Sequence, residues 1–314
     1  MFFSLLSPMM MLSGFAVFFG AIISVSSMSW VGLWVGMELN LFGFLIFMNF
    51  DGVSVPEPCV KYFIVQSTGS MFLVMGFLGV ESFASVMTMF LIVSGATLKA
   101  GVFPFHSWVP LVVKNSSWMS SSLILTWQKL APLMAMAIVM SKIFLSILVF
   151  FMALIGGIGG LNQLSIRLMS AYSSFVHTSW MLASLLNSLV VFVFYFFIYM
   201  LSVLCLFWCC AKINKYSVVS SGFSASASVC LIMLSGVPPF LGFLGKILVF
   251  LSVMSMEIFP CIIGSVISLK FYLSFFYSMV MSSSHSDYLS GAEKIITTLV
   301  VINVVGLMVV FMIF

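Results

Sequence analysis

The chain contains 314 residues, of which 63% are hydrophobic and only 6% are charged. Its mean hydropathy is +1.31. A domain that folds in water carries about 25% charged residues, so this composition excludes a water-soluble protein and favours a polytopic membrane protein. Because the apolar runs are continuous rather than alternating, we predict an all-α chain of transmembrane helices. The first run, from Met1, lacks the basic region and cleavage site of a signal peptide, so we expect a retained helix there.

Runs of about 20 apolar residues divide the chain into about eleven predicted spans. The fourth span (83–113) and the ninth span (225–251) are too long for one straight helix. The fourth contains LKAGVFPF from Leu98 and the ninth contains SGVPPF from Ser235. Gly and Pro are poor helix formers, and a broken membrane helix is tolerated where it lines a cavity, so we predict a broken helix in each. The other predicted spans are 2–25, 30–49, 60–80, 117–140, 143–162, 168–186, 189–211, 259–281 and 295–314.

The two breaks lie five spans apart, a spacing typical of transporters built from inverted repeats. We therefore predict a first inverted repeat over 1–140, a second over 143–281 and a terminal helix over 295–314, all within one integral membrane domain. The alternative is that Gly and Pro are simply frequent in membrane helices.

The basic residues in the loops predict an orientation. Alternate loops place six of them on the side of the N-terminus and only Lys142 on the opposite side. The positive-inside rule therefore puts the N-terminus on the cytoplasmic or matrix side. The six residues are Lys61, Lys114, Arg167, Lys212, Lys215 and Lys294.

Charged residues inside the spans are the candidate functional groups. An intramembrane lysine costs about 2.5–3.5 kcal/mol on the insertion scale, and such residues usually mark a pathway. Lysine can release a proton in a desolvated site, whereas arginine stays charged, so the pattern indicates a proton relay. Glu38 is predicted at a similar depth to Lys99 and Lys129 and would pair with one of them; a static ion pair that fixes packing is the alternative. The four intramembrane lysines are Lys99, Lys129, Lys246 and Lys270.

Weaker candidates lie near these charges. His106 follows the first break and would extend the relay at Lys99, while His177 would link two half-pathways because histidine titrates near neutral pH. For both histidines a hydrogen-bonded packing role is the alternative. Pro132 is predicted to add a kink and a hydration point beside Lys129. The six cysteines and three histidines show no metal or haem spacing, so we expect no cofactor or metal bound by this chain.

Several segments resemble the chain 2 family of mitochondrial NADH:ubiquinone oxidoreductase, one of the antiporter-like membrane subunits of respiratory complex I. They occur in the order of that family and cover most of the chain from Trp30 to Lys246. The most specific are TWQKLAP (126–132) and GGLNQ (159–163). The others are SWVGLWVGMELN (29–40), KYFIVQSTGSM (61–71), LKAGVFPFHSWVP (98–110) and SGVPPFLGFLGK (235–246).

The resemblance implies roles for individual residues. Glu38 matches the glutamate of the family's Glu/Lys pair, and Lys99 matches the lysine of the first broken helix. Lys129 matches the central lysine, and Lys246 the lysine of the second broken helix. Lys270 has no counterpart in the family pattern.

The resemblance also implies a setting. The chain would span the mitochondrial inner membrane with its N-terminus in the matrix, and would move protons as NADH is oxidised and ubiquinone is reduced. NADH, FMN, iron–sulfur clusters and ubiquinone would bind in partner subunits. The partners would be other complex I subunits, especially neighbouring antiporter-like and small membrane subunits, and no nucleic acid. A sodium/proton antiporter subunit outside complex I and a structural membrane spacer are the alternatives.

Overall fold

The structure, a computed structural model, describes residues 8–51, 56–79, 85–215, 220–238, 240–253 and 256–283. These residues form thirteen α-helices, and no strand occurs among them. The helices are α1 (Pro8–Ser26), α2 (Trp30–Phe50), α3 (Glu57–Leu78), α4 (Ser85–Ala100), α5 (Trp108–Asn115), α6 (Trp118–Leu125), α7 (Trp127–Val139), α8 (Lys142–Gly160), α9 (Ile166–Leu185), α10 (Leu189–Lys215), α11 (Ser220–Ser235), α12 (Leu241–Ser252) and α13 (Ile258–Ser283).

Both predicted helix breaks are present. The first separates α4 from α5 and the second separates α11 from α12. A glycine with positive φ lies at each, Gly101 at 65° and Gly236 at 74°. Only glycine adopts this left-handed conformation without steric cost, which explains why the sequence uses it at both positions.

The first break closes the end of α4 with a Schellman motif. The Gly101 N–H donates to the Leu98 carbonyl at 3.2 Å, and the Val102 N–H donates to the Thr97 carbonyl at 3.0 Å. The indole Nε1 of Trp108 adds a second hydrogen bond to the Leu98 carbonyl, at 3.1 Å. The carbonyls released by the break therefore find donors, as a low-dielectric environment requires.

A further interruption, which the sequence did not predict, separates α6 from α7. It lies at Thr126, with φ −115° and ψ −86°, and the Thr126 hydroxyl donates to the Ser122 carbonyl at 2.7 Å. The prediction placed a kink at Pro132, whereas Pro132 lies inside α7. The interruption therefore falls six residues earlier in the chain, at a residue that is neither Gly nor Pro.

The thirteen helices form ten spans when the three interrupted pairs are joined. By length and composition, six stretches are long and apolar enough to cross a membrane: Pro8–Ser26, Trp30–Phe50, Trp118–Val139 (α6 and α7 together), Lys142–Gly160, Leu189–Ile213 and Ile258–Met281. The chain is therefore a multi-pass membrane protein. The eleventh predicted span, 295–314, lies outside the described residues, so the count of eleven stays a prediction.

The chain divides into two compact units, Met1–Phe144 and Leu145–Phe314. The division falls next to the predicted boundary between 1–140 and 143–281. That the two units are inverted copies of one another stays a prediction.

Helix α9 is the core of the second unit, since fifteen of its twenty residues are buried. Its serines satisfy their hydroxyls within the helix: Ser174 donates to the Ala171 carbonyl and Ser179 to the Val176 carbonyl, both at 2.6 Å. Such local bonds allow polar side chains in an apolar interior. His177, between these serines, is the one titratable side chain among the fifteen buried residues of this helix.

Candidate functional site

An ion pair lies in the first unit, between Glu38 on α2 and Lys99 on α4. The distance from Lys99 Nζ to Glu38 Oε1 is 3.0 Å, and the two side chains are 2% and 18% exposed. The sequence left the partner of Glu38 open between Lys99 and Lys129, and the structure pairs it with Lys99.

Helix α3 also contacts Lys99, through Gln66 and Gly69. Gln66 donates from Nε2 to the Lys99 carbonyl at 3.2 Å. A Cβ atom added at Gly69 would lie 2.8 Å from Lys99 Cγ, so the glycine makes room for the lysine stem. The first break begins two residues after Lys99, so this lysine lies in the last turn of α4, where the regular backbone ladder ends.

A buried polar network adjoins the ion pair. Asn40 Nδ2 donates to Gln128 Oε1 and Gln128 Nε2 donates to Asn40 Oδ1, both at 3.0 Å. The Tyr62 hydroxyl also donates to Gln128 Oε1, at 3.2 Å. Sequence reasoning missed these residues, although amide side chains inside apolar spans were the signal that marked them.

A cavity of about 10 Å³ lies within this network. Tyr62, Gln66, Lys99 and Gln128 all line it. This volume matches the space that one water molecule needs, and the lining offers the two to four polar partners that an ordered water takes. A proton donor and a chain of hydrogen-bonding groups are therefore adjacent in the first unit.

Lys129 follows Gln128 in the first turn of α7 and is 3% exposed. Its backbone N–H donates to the carbonyl of Thr126, at the interruption before α7; the distance is 3.1 Å. The second predicted lysine is thus buried one position along the chain from the amide network. His106 lies half-buried in the connection between α4 and α5.

In the second unit, Lys246 folds back onto the second break. Its Nζ donates to the carbonyl of Ser235, the last residue of α11, at 2.7 Å. A Cβ atom added at Gly236 would lie 2.7 Å from the same Nζ. Lys246 therefore satisfies a carbonyl at the end of the broken helix, and the glycine leaves room for the ammonium group.

A groove of about 240 Å³ opens beside Lys246. Trp180 is one of the residues that line this groove. Its indole Nε1 is buried and has no hydrogen-bond partner among the described residues. A water molecule occupies about 30 Å³ in the liquid, so the groove has room for several. The second lysine site thus combines a broken helix, a half-buried lysine and space for water.

His177 lies in a cluster of tyrosines. Its Nδ1 is 2.9 Å from the Tyr195 hydroxyl on α10, and its Nε2 is 3.4 Å from the Tyr272 hydroxyl on α13. The ring of Tyr199 lies 4.8 Å away, centroid to centroid. A tyrosine hydroxyl either donates or accepts, so both neutral tautomers of His177 are satisfied here.

Lys270 is apart from the other predicted residues. It lies near the middle of α13 and is exposed. Within the part of the chain that the structure describes, no hydrogen bond or ion pair involves its side chain. The same part contains no group of three or more His, Cys, Asp and Glu residues suited to a metal ion.

A helical membrane fold with two glycine breaks, each next to a lysine, is typical of antiporter-like membrane proteins. The family model described as "NADH:quinone oxidoreductase/Mrp antiporter, TM" matches residues 27–271. The chain belongs to this family.

Individual proteins agree with this assignment. NADH-ubiquinone oxidoreductase chain 2 of Mytilus edulis is 53% identical over 91% of each chain, and that of Anopheles gambiae is 35% identical over 84% of this chain and 83% of its own. The resemblance to the chain 2 family is thereby confirmed.

Solved structures agree on the fold. A chain of respiratory complex I from Thermus thermophilus matches with a TM-score of 0.78 at 20% identity, covering 95% of this chain and 78% of its own. A chain of the Mrp complex from Dietzia matches with a TM-score of 0.73 at 16% identity, covering 87% and 60%. At these identities the likeness shows the fold alone, and the predicted antiporter-like all-α class is confirmed.

Proposed function

We propose that this chain is a core membrane subunit of respiratory complex I that moves protons across the mitochondrial inner membrane. NADH oxidation and ubiquinone reduction would take place in partner subunits, which would hold the FMN and iron–sulfur clusters. The observation that carries the proposal is the partly buried Glu38–Lys99 ion pair at the end of a broken helix. Sequence identity of 53% to a chain 2 protein supports the setting.

The relay begins at this ion pair. A nearby carboxylate favours the charged form of a lysine, so Lys99 holds its proton while Glu38 is 3.0 Å away. If the carboxylate moves off, the desolvated ammonium loses its counter-charge and releases the proton. The water-sized cavity and the Tyr62–Gln128 network offer the nearest hydrogen-bonding route, and Lys129 is the next buried base.

Lys246 performs the corresponding step in the second unit. The groove beside it admits water, and the Ser235 carbonyl holds the protonated amine by a hydrogen bond of 2.7 Å. His177 and its tyrosines supply a neutral hydrogen-bonding group within the same unit, and His106 supplies one at the first break. Lys270, also predicted as a relay group, is exposed near the middle of α13, and its relay role stays a prediction.

The proposal includes an orientation and partners. The N-terminus lies in the matrix, as the basic loops predict. The neighbours are other complex I subunits, in particular antiporter-like and small membrane subunits.

A sodium/proton antiporter subunit outside complex I is the second candidate. The structural match to a chain of the Mrp complex, with a TM-score of 0.73, supports this candidate at the level of the fold. It predicts ion exchange without NADH oxidation.

Purification from native membranes in a mild detergent separates the two candidates. We expect the chain to migrate with flavin and iron–sulfur subunits and with NADH:ubiquinone reductase activity. Migration without flavin, together with sodium-dependent proton exchange in proteoliposomes, would contradict the proposal and support the antiporter.

A further inference from the structure

The outer face of α13 is exposed along the length of the helix. Val266 is 66% exposed and Tyr277 is 63% exposed. The residues recur every three to four positions, apart from one seven-residue interval, and so share one side of the helix. The outer face consists of Phe259, Ile263, Val266, Lys270, Tyr277 and Met281.

Lys270 lies at the centre of this face. It is twelve residues from Ile258 and thirteen from Ser283, the two ends of α13. At 1.5 Å per residue, each end is about 18–20 Å away along the axis, too far for a lysine side chain to reach the membrane surface easily. A charge exposed at that depth requires a partner, and intramembrane charges usually pair with one another.

The described acids of this chain do not supply that partner. Glu257 lies one residue before α13, about 20 Å along the helix axis from Lys270. In the first unit, Glu38 pairs with Lys99, Glu57 pairs with Lys61, and Asp51 accepts hydrogen bonds from Ser117 and Ser120. Glu81, Asp287 and Glu293 lie outside the described residues, as does the apolar run 295–314, which contains no Asp or Glu.

We propose that the outer face of α13 docks against a transmembrane helix of another membrane chain, and that this helix presents an Asp or Glu to Lys270 at mid-membrane depth. Charge complementarity selects this occupant, because neither a lipid tail nor a purely apolar helix neutralises an ammonium group. A second copy of this chain is a poor partner, since Glu38, its intramembrane carboxylate, is already paired.

The docking surface adjoins the lysine site of the second unit. Val266 belongs to the outer face and also lines the groove beside Lys246. The partner helix therefore borders the mouth of that groove. The inference concerns an interface and does not rest on proton transfer through the chain.

A carbodiimide that dissolves in the bilayer tests this pairing in native membranes. It condenses a carboxyl group with a lysine amine to an amide, and the water released hydrates the carbodiimide to a urea. We expect mass spectrometry to find an amide between Lys270 and an Asp or Glu in a membrane-spanning peptide of another chain. The Glu38–Lys99 pair, at 3.0 Å, is the internal reference for a buried reaction.

Three outcomes would overturn the proposal. The first is an amide at Lys99 with Lys270 unmodified, as expected if lipid covers the face. The second is an amide from Lys270 to an acid of its own chain. The third is an amide to a second copy of this chain.

Charge variants test the same pairing without chemical reaction. Lys270→Glu would place like charges together, so we expect at least ~10-fold less intact assembly to survive detergent, with Lys270→Met intermediate. Lys142→Glu, at the exposed start of α8, is the matched control and should match the parent. Replacing the identified partner acid by Lys should restore the Lys270→Glu assembly. Survival of Lys270→Glu equal to that of the parent would overturn the pairing even if the carbodiimide reaction fails.

Discussion

At the scale of single residues, the Glu38–Lys99 pair depends on groups from several helices. Helix α2 supplies the carboxylate, α4 the amine, and α3 both the Gln66 donor and the space at Gly69. The sequence predicted the charges and their depth. It did not decide whether Glu38 meets Lys99 or Lys129, because that choice depends on the rotation of α2 against its neighbours, which no local pattern encodes.

Glu38→Gln keeps the shape of the side chain and removes the charge. Leaving one member of a buried ion pair uncompensated costs about 3–5 kcal/mol, and Lys99 avoids this cost by losing its proton. We expect assembly to persist and proton pumping to fall by about tenfold or more, which corresponds to ~1.4 kcal/mol in the rate. The measurement is proton flux in reconstituted membranes.

Glu57→Gln is the matched control for that variant. Glu57 pairs with Lys61 at the surface, where the side chains are 49% and 44% exposed, and exposed pairs contribute little. We expect normal flux. Restoration of pumping by the double variant Glu38→Gln with Lys99→Met would show that the pair only supports packing.

Gly69→Ala tests whether the lysine stem needs the space that glycine leaves. The added Cβ would lie 2.8 Å from Lys99 Cγ, so the stem must shift. Overpacking of this kind typically costs about 1–3 kcal/mol, and we expect lower pumping although every charged group is retained. Gly14→Ala is the control, since nothing lies within 4 Å of its added Cβ. Equal flux in both variants would mean that the position of the stem is not critical.

At the scale of helices, the sequence predicted two of the three interruptions found among the described residues. Gly101 and Gly236 lie in Gly/Pro clusters, and both breaks were predicted because those residues disfavour helix. The interruption at Thr126 was missed, because threonine is compatible with a helix and its conformation here is set by tertiary packing. It directly precedes the turn that carries Gln128 and Lys129. The interruption that the sequence did not predict therefore lies beside Lys129.

Gly236→Ala tests the second break. Alanine at φ 74° is strained by about 1–2 kcal/mol, and its Cβ would lie 2.7 Å from Lys246 Nζ. We expect Lys246 to leave the Ser235 carbonyl and pumping to fall, with assembly retained. A high-resolution map of the variant and its proton flux are the measurements.

Ser228→Ala, in the helix α11 that ends just before Gly236, is the control for Gly236→Ala. Among the described residues, its hydroxyl donates to the nearby Ala225 carbonyl, at 2.7 Å. Normal flux from Gly236→Ala with Lys246 displaced would show that the hydrogen bond at the break has no part in proton transfer.

At the scale of the whole molecule, each unit contains a broken helix with a lysine beside it. Composition alone predicted the membrane environment, and the Gly/Pro clusters predicted where these sites lie. The amide network, the groove and the exposed position of Lys270 could not be predicted, because each depends on which faces of the helices meet. The charged residues are thus readable from sequence, whereas their partners are not.

The central claim is that protons pass through the buried lysines of this chain. The most direct test is the number of protons moved per NADH oxidised in reconstituted membranes, with Lys129→Met and Lys129→Arg. Methionine cannot carry a proton and arginine does not release one, so we expect this ratio to fall in both variants while the exposed Lys142→Met control keeps the parent value. An unchanged ratio in both Lys129 variants would contradict the claim.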